Sequence, residues 1–470
     1  MSTADVRTTD KRRPNVIVFF TDQQRWDTTG VHGNPLGLTP NFDRMARRGT
    51  DVHYTFTCQP VCGPARSCLQ TGMYATNTGV FHNGVALDRD AATLAKSFRA
   101  GGYTTGYIGK WHLASQEPVP EEERGGYEYW LASNALEFTS DAYDTIMFDN
   151  DGNPVKLPGY RVDAVTDAAI RYVDAHQEEP FFLFLSYIEP HHQNHRDNYP
   201  APDGYEKEYT GAWVPPDLAE LGGSSSQHLG GYYGMIKRLD EALGRLLDAL
   251  RSLDLLDDTV VLFTTDHGNH FKTRNSEYKR SCHEASIRLP TAIQGPGFDG
   301  GGRLSQLVSL VDLPPTLLDA AGLPIPASME GRSILPLAQR EDVEDWPAEV
   351  FVQISEAQVG RAIRTKRWKY CVDAPDKHGS RDPGSDVYVE QYLYDLESDP
   401  YELQNLVGID AFRAVADDLR DRLIARMVEA GETAPEIVPA EPRDGFQRAT
   451  SIDEVRKRYL AWVKNRHASA

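Results

Sequence analysis

Cys62-Gly63-Pro64-Ala65-Arg66, continued by Ser67-Cys68-Leu69-Gln70-Thr71-Gly72, is the stretch around which the chain is organised. Pro64, just ahead of an amphipathic run, suits the first turn of a helix, where its missing N–H costs nothing. Cys62 then faces a helix N-terminus, whose free amides and partial positive charge favour an anion. A lone cysteine reads as core packing. Whether this one does more depends on what the rest of the chain brings to it.

The 470 residues predict one large domain and a smaller one. A hydrophobic content of 40% with 25% charged residues is that of a soluble globular protein. The net charge of -20 argues against a nucleic-acid or membrane partner, since both need a basic face, so positive charge for an anionic substrate must be local. The segment Met1 to Pro14 is polar, and the apolar run Val16 to Thr21 is too short for a signal-peptide core or a membrane span, which predicts a cytoplasmic protein. Five cysteines are sparse and odd in number, so free thiols are expected for all but Cys62.

Val16 to Thr21 is a continuous β-branched and aromatic run, as in a strand buried on both faces of a parallel sheet, and it ends at Asp22-Gln23. Thr39-Pro40 open a helix that stops at Gly49. Ala91 to Arg99 reads as a helix, and Tyr103 to Gly109 as a strand delivering Lys110-Trp111-His112. Residues 117–160 lose all period and read as loops; Val162 to His176 is helical. Phe181 to Ile188 is a third buried strand, ending in Glu189-Pro190-His191-His192. Residues 196–227 read as loop, Tyr232 to Leu253 as a long amphipathic helix, Val260 to Thr265 as a strand ending in Asp266-His267, and Asp312 to Ala321 as a helix. Beyond residue 345 come short alternating strands at 350–354, 361–365, 367–372 and 388–396, then a helix from Ala411 to Glu429. A Pro-rich stretch leads to a last amphipathic helix, Ile452 to Arg466, whose apolar face suits its own subunit or a second copy in a homo-oligomer. The divisions are 1–345, 346–430 and a helical extension 431–470.

Four strands thus end in Asp22, Lys110 with His112, His191, and Asp266 with His267. In open α/β sheets ligands bind at that edge. Singly, each residue has a dull use as a cap, a solvated charge or a core hydrogen bond. Together they offer acidic metal ligands, cations and imidazoles to one site.

The CxPxR pattern followed by Leu-x-Thr-Gly, with these strand ends in this order, resembles the formylglycine-dependent sulfatases of the alkaline phosphatase superfamily from Pro14 to about Leu406. The resemblance implies a large, mixed, mostly parallel sheet sandwiched by helices, with a smaller C-terminal α+β subdomain. It implies that Cys62 is converted to formylglycine by a formylglycine-generating enzyme, and that Arg66 supports it. It implies one divalent cation held by Asp22, the residue-62 side chain, Asp266 and His267, and sulfate contacts from Lys110, His112 and Lys279. His191 would protonate the leaving alcohol. Gln23 stands where relatives often carry a second aspartate, and His267 where they often carry asparagine, so Gln23 is either a weak carbonyl ligand or outside the ligand set. Calcium suits the ligand set, and manganese accepts the imidazole more readily.

For the leaving-group pocket the candidates are His82, Asn83, Arg274, Tyr278, Arg280 and His283, with Trp130 on the long loop; the two arginines could hold a carboxylate or a second sulfate. A carbohydrate or small organic sulfate ester is the leading substrate class. Cys62-Gly63-Pro64-Ala65-Arg66 also resembles the signature of phosphonate monoester hydrolases, so a phosphonate monoester or phosphodiester is the alternative. A binding protein that keeps the fold without catalysis is the third reading.

Overall fold

The computed structural model describes residues 13–443 together with 456, 457, 459 and 460. The helix expected over Ile452 to Arg466 therefore lies almost wholly outside the described residues. Among the described residues no helix is long and apolar enough to cross a membrane.

The strands form a sheet of eleven. In chain order they are β1 Asn15–Thr21, β2 Thr50–Phe56, β3 Thr104–Lys110, β4 Tyr129–Ser133, β5 Thr145–Phe148, β6 Pro154–Leu157, β7 Phe181–Ser186, β8 Thr259–Thr265, β9 Arg288–Leu289, β10 Ala292–Gln294 and β11 Arg303–Ser309. Their spatial order is β11-β2-β10-β8-β1-β7-β3-β4-β5-β6, with β9 alongside β2. The centre is parallel: β1 pairs with β7 and β8, and β3 with β7 and β4. β10 runs antiparallel to both neighbours, and β5 and β6 close the far edge as a hairpin.

β1 is buried along its whole length because both faces of the sheet are covered. Ile17 and Phe19 pack under the helices Pro40–Arg48, Arg161–Ala175 and Ser225–Ser252. Val16, Val18 and Phe20 face the opposite layer, which holds Cys62–Thr71, Leu94–Ala100 and Leu313–Ala320. The predicted fold class is the observed one.

Register decides what the strand ends deliver. Thr21 stands beside Thr265, so Asp22 and Asp266 leave the sheet side by side. Gly109 stands beside Ser186, with φ of 116°, and a Cβ there would lie 1.8 Å from the Ser186 carbonyl oxygen. Only glycine allows this close approach, and it sets the exit of Lys110.

Residues 117–160 are more ordered than their sequence suggests, since β4, β5 and β6 extend the sheet there. The segment 196–227 also contains short helices, Tyr205–Tyr209 and Pro216–Glu220. A second sheet comprises β12 Glu349–Ile354, β13 Gly360–Thr365, β14 Trp368–Asp373 and β15 Val387–Asp395 as an antiparallel meander. β16, Glu436–Val438, adds parallel to β15, so part of the Pro-rich stretch is an edge strand. The helix Arg413–Glu429 covers this sheet through Leu419, Leu423 and Met427.

Candidate active site

Cys62 is the first residue of its helix, and every residue of that helix is buried. Its amide environment is less open than the sequence suggests: Pro64 has no N–H, and Gly63 N donates to Asn83 Oδ1 at 2.9 Å. The positive potential comes instead from side chains. Lys279 Nζ lies 2.7 Å from Cys62 Sγ and 3.2 Å from His191 Nε2. His267 Nε2 lies 3.2 Å from the sulfur, and Asp22 Oδ1 3.6 Å from it.

Asp22 is held from the other side. Arg66 reaches its Oδ2 at 2.9 Å and Lys110 at 3.0 Å. Arg66 also donates to the Lys110 carbonyl and to Ser186 Oγ, which fixes the guanidinium between β3 and β7. Lys110 has a second partner, Glu137 Oε1, at 3.0 Å. Sequence reasoning missed Glu137, which sits on a four-residue helix, Leu136–Thr139, inside the stretch read as loop.

The electrostatics follow from these contacts. Burial opposes ionisation of Cys62, but Lys110, Lys279 and His267 outweigh it and hold the thiol well below its ordinary range. Burial and Cys62 also oppose the Asp22 carboxylate, and Lys110, His191 and Arg66 keep it ionised. Glu137 is brought down to about 2 against burial, chiefly by Lys110. Asp266 moves the other way: burial and neighbouring Asp22 push it up to about 6. Burial, aided by Lys279, lowers His191.

Asp22, Cys62, Asp266 and His267 are all buried, and their ligand atoms lie within 4.8 Å of one another. Asp266 Oδ2 has no hydrogen-bond partner, although Arg66 Nε stands 3.5 Å away. His267 Nδ1 is 2.9 Å from the Gly268 carbonyl, so it donates there and leaves Nε2 bare towards the carboxylates. Crowded carboxylates, an orphaned oxygen and an oriented imidazole fit a bound cation. Gln23 meets the cluster through its backbone, whose N–H donates to Asp266 Oδ1 at 3.0 Å, while its side-chain Oε1 lies 3.3 Å from His192 Nδ1.

The other predicted residues divide. Asn83 touches the helix start, and its own N–H donates to Glu356 Oε1. Arg280 pairs with the same Glu356 and with Glu277. The small sheet's Glu356 therefore reaches the rim of the site. His82 bonds the Asn83 carbonyl at 2.6 Å. His112 helps to hold the Cys62 thiol low, and its Nδ1 is unpartnered. Arg274 is turned to the carbonyls of Tyr401 and Glu402, and His283 is buried against Tyr394 Oη; both belong to the joint with the small sheet. Trp130 is not a loop residue facing substrate but a buried core residue of β4, stacked on Tyr107. Tyr278 is buried too, with its hydroxyl 2.6 Å from Asp197 and its ring 4.4 Å from His192.

Comparison with known proteins bears on this arrangement. The model of the sulfatase family matches residues 14–323, and the model described as N-sulphoglucosamine sulphohydrolase, C-terminal, matches 276–429. An ulvan-active sulfatase of Formosa agariphila is 30% identical, with 89% of this chain and 82% of that protein covered. An N-acetylglucosamine-6-O-sulfatase of Bacteroides thetaiotaomicron is 24% identical, with 87% and 85% covered. A structure solved in complex with its substrate D-glucosamine-2-N,6-O-disulfate superposes with a TM-score of 0.74 at 23% identity, covering 89% of this chain and 98% of that one. A phosphonate monoester hydrolase from Silicibacter pomeroyi superposes at 0.70 and 21% identity, covering 89% and 96%. The last two show a shared fold. A family match over most of the chain, joined to the identity with the Formosa protein along its length, establishes that the chain belongs to the sulfatase family.

Proposed function

We propose that this sulfatase hydrolyses sulfate esters on sugars, using an oxygen nucleophile made from Cys62 and a divalent cation at Asp22, Asp266 and His267. The observation that carries the reading is the convergence of Lys279, His267 and Asp22 on Cys62 Sγ. A core thiol would be ringed by apolar atoms. Formylglycine formed from Cys62 by a formylglycine-generating enzyme would supply the nucleophilic hydroxyl, and the cation, when bound, would lower its pKa and screen the incoming anion. Calcium is our assignment, with manganese the other candidate. We place catalysis in residues 1–345, with the unit 346–430 contributing Glu356 at the rim.

The chain's own residues do the rest. Lys279 is aimed at the reacting side chain and balances charge on the sulfuryl oxygens. Lys110 and Arg66 hold Asp22 ionised and add positive potential behind it. His191 donates through Nδ1 to the His192 carbonyl at 2.7 Å, so it would protonate the departing alcohol from Nε2 only as the imidazolium, which the negative charge of a bound sulfate favours against burial and Lys279. His112 acts as base when sulfate is released. The sugar class rests on the relatives' names, N-acetylglucosamine-6-O-sulfatase among them. The test compares rates on a 6-sulfated glucosamine, an aryl sulfate and an aryl phosphonate monoester, with mass spectrometry of the Cys62 peptide on the same preparation. Faster turnover of the phosphonate, or undiminished turnover by Cys62→Ala, would overturn it.

A further inference from the structure

Another cluster of ligand-type side chains lies where the turn after β1 meets the start of β2. His32 ends the turn Gly30–His32, while Asp51 and His53 sit two apart on β2 and so share one face of the strand. Their donor atoms lie within 4.8 Å of one another. His53 Nδ1 is 3.4 Å from Asp51 Oδ2, and His32 Nε2 is 4.0 Å from Asp51 Oδ1. For ligand bonds of ~2.1 Å, the edge of a tetrahedron is about 3.4 Å. The imidazole planes are 10° apart and their centroids 4.7 Å.

Unmade hydrogen bonds distinguish this cluster from a packed histidine pair. His32 Nε2, Asp51 Oδ1 and His53 Nδ1 are all buried and none makes a hydrogen bond, the contacts of the two imidazoles with Asp51 being ion-pair distances only. The His32 side chain is 0% exposed and that of Asp51 7%. Buried polar atoms are normally satisfied, so three without hydrogen bonds within 4.8 Å of one another call for a ligand. His32 Nδ1 lies 2.7 Å from Thr29 Oγ1; donated there, its proton leaves the Nε2 lone pair towards the cluster. Arg303 takes Asp51 Oδ2 at 2.8 Å, which leaves Oδ1 for the histidines. The nearby Arg288 guanidinium is stacked on Trp26 at 3.9 Å and donates to the His53 carbonyl.

We propose that His32, Asp51 and His53 bind a second cation, a transition ion of the zinc type. Two nitrogen donors out of three disfavour calcium and magnesium and suit zinc. Bound there, the ion fastens the segment that carries Asp22 and Gln23 to β2, and it takes no part in the chemistry at Cys62. In the full-length chain, stripped by chelation and equilibrated with Zn2+ alone, His32→Gln and His53→Gln should each bind one ion per chain fewer than the parent and lose the Zn2+-dependent rise in Tm. Equal stoichiometry in the parent and either folded variant overturns the proposal. Should neither variant fold, the chain carrying Cys62→Ala and His267→Ala is titrated with Co2+. Visible bands of a low-coordinate nitrogen-oxygen site support the proposal, and a spectrum of aqueous Co2+ alone overturns it.

Discussion

Two buried charge clusters use the same residue types to opposite ends. Between the large sheet and β14, Lys369 lies 2.8 Å from Glu284 and 2.5 Å from Glu402, while Arg364 holds Glu284 at 3.2 Å. Glu402 also accepts the Glu284 N–H, so the cluster closes on itself. Around Cys62, by contrast, Asp266 Oδ2, Glu137 Oε2 and Arg66 Nε have no partner. Burial opposes ionisation in both clusters. Each cluster holds carboxylates on both sides of the ordinary range: Glu284 is lowered and Glu402 raised in one, Asp22 and Glu137 are lowered and Asp266 is pushed up to about 6 in the other. What separates the clusters is their hydrogen bonding. A cluster whose carboxylates each meet a cation and close on one another has the character of a joint, and one whose Asp266 Oδ2 lacks a hydrogen bond has that of a candidate cation site.

The largest test of that contrast is at the open cluster. Cys62→Ala should lower kcat on an aryl sulfate by at least ~10³, because no other side chain can supply the nucleophile. Its Tm should move little. At the closed cluster the expectation is reversed. Lys369→Met leaves Glu402 buried without its cation and Glu284 with Arg364 alone, which should cost about 3–5 kcal/mol in denaturant unfolding. The kcat of the molecules that remain folded should be close to the parent's. If Lys369→Met proved as stable as the parent, the distinction between joint and site would fail.

The sequence displays the residue types of both clusters and does not say which are already occupied. Burial on both faces makes β1, β7 and β8 largely apolar runs, β3 was legible from Tyr107 and Ile108 between a glycine-closed helix and Lys110, and the four ends carried Asp22, Lys110, His191 and Asp266 with them. β10 is three residues long, and β11 alternates on the sheet edge, so neither has enough pattern to announce itself. Glu137 lies in a stretch with no period, and only the fold brings it to Lys110. Arg274 and His283 look like substrate contacts in one dimension. Their partners, Tyr401, Glu402 and Tyr394, are more than a hundred positions away, and local spacing carries no trace of them.

Lys279 probes the open cluster more gently than Cys62. Its contacts are Cys62 and His191, so on the proposed mechanism Lys279→Ala should lower kcat by about 10²–10³. Thermal stability should be nearly unchanged, because the lysine has no carboxylate partner to strand. An equal loss in the more conservative Lys279→Arg would show that position matters as well as charge, and unchanged kcat in both would remove Lys279 from the site.

The smallest expected effect separates the clusters by pH. In the metal-free chain Asp266 titrates near 6, above its ordinary 3.8, so the folded protein keeps a proton that the unfolded chain releases between these values. That contribution to stability is present in full below about 3.8 and is lost as pH rises through about 6. Glu284 has the opposite sign: its contribution is present above its ordinary 4.5 and is lost as pH falls through the depressed folded value. Between pH 7 and 5 Asp266 responds together with Asp240 and Asp312, which burial also pushes up to about 6. The share of Asp266 is the difference between the parent and Asp266→Asn, with a ceiling of ~1.4 kcal/mol for the one unit between 6 and 5. A divalent cation that holds the carboxylate ionised should erase this gain and raise stability most at the higher pH, since protons and the cation compete for the same oxygens. Melting curves at pH 5 and 7, with and without Ca2+, measure both terms. Parallel shifts at the two pH values would mean that the cation binds away from Asp266, and the open cluster would then be a second joint.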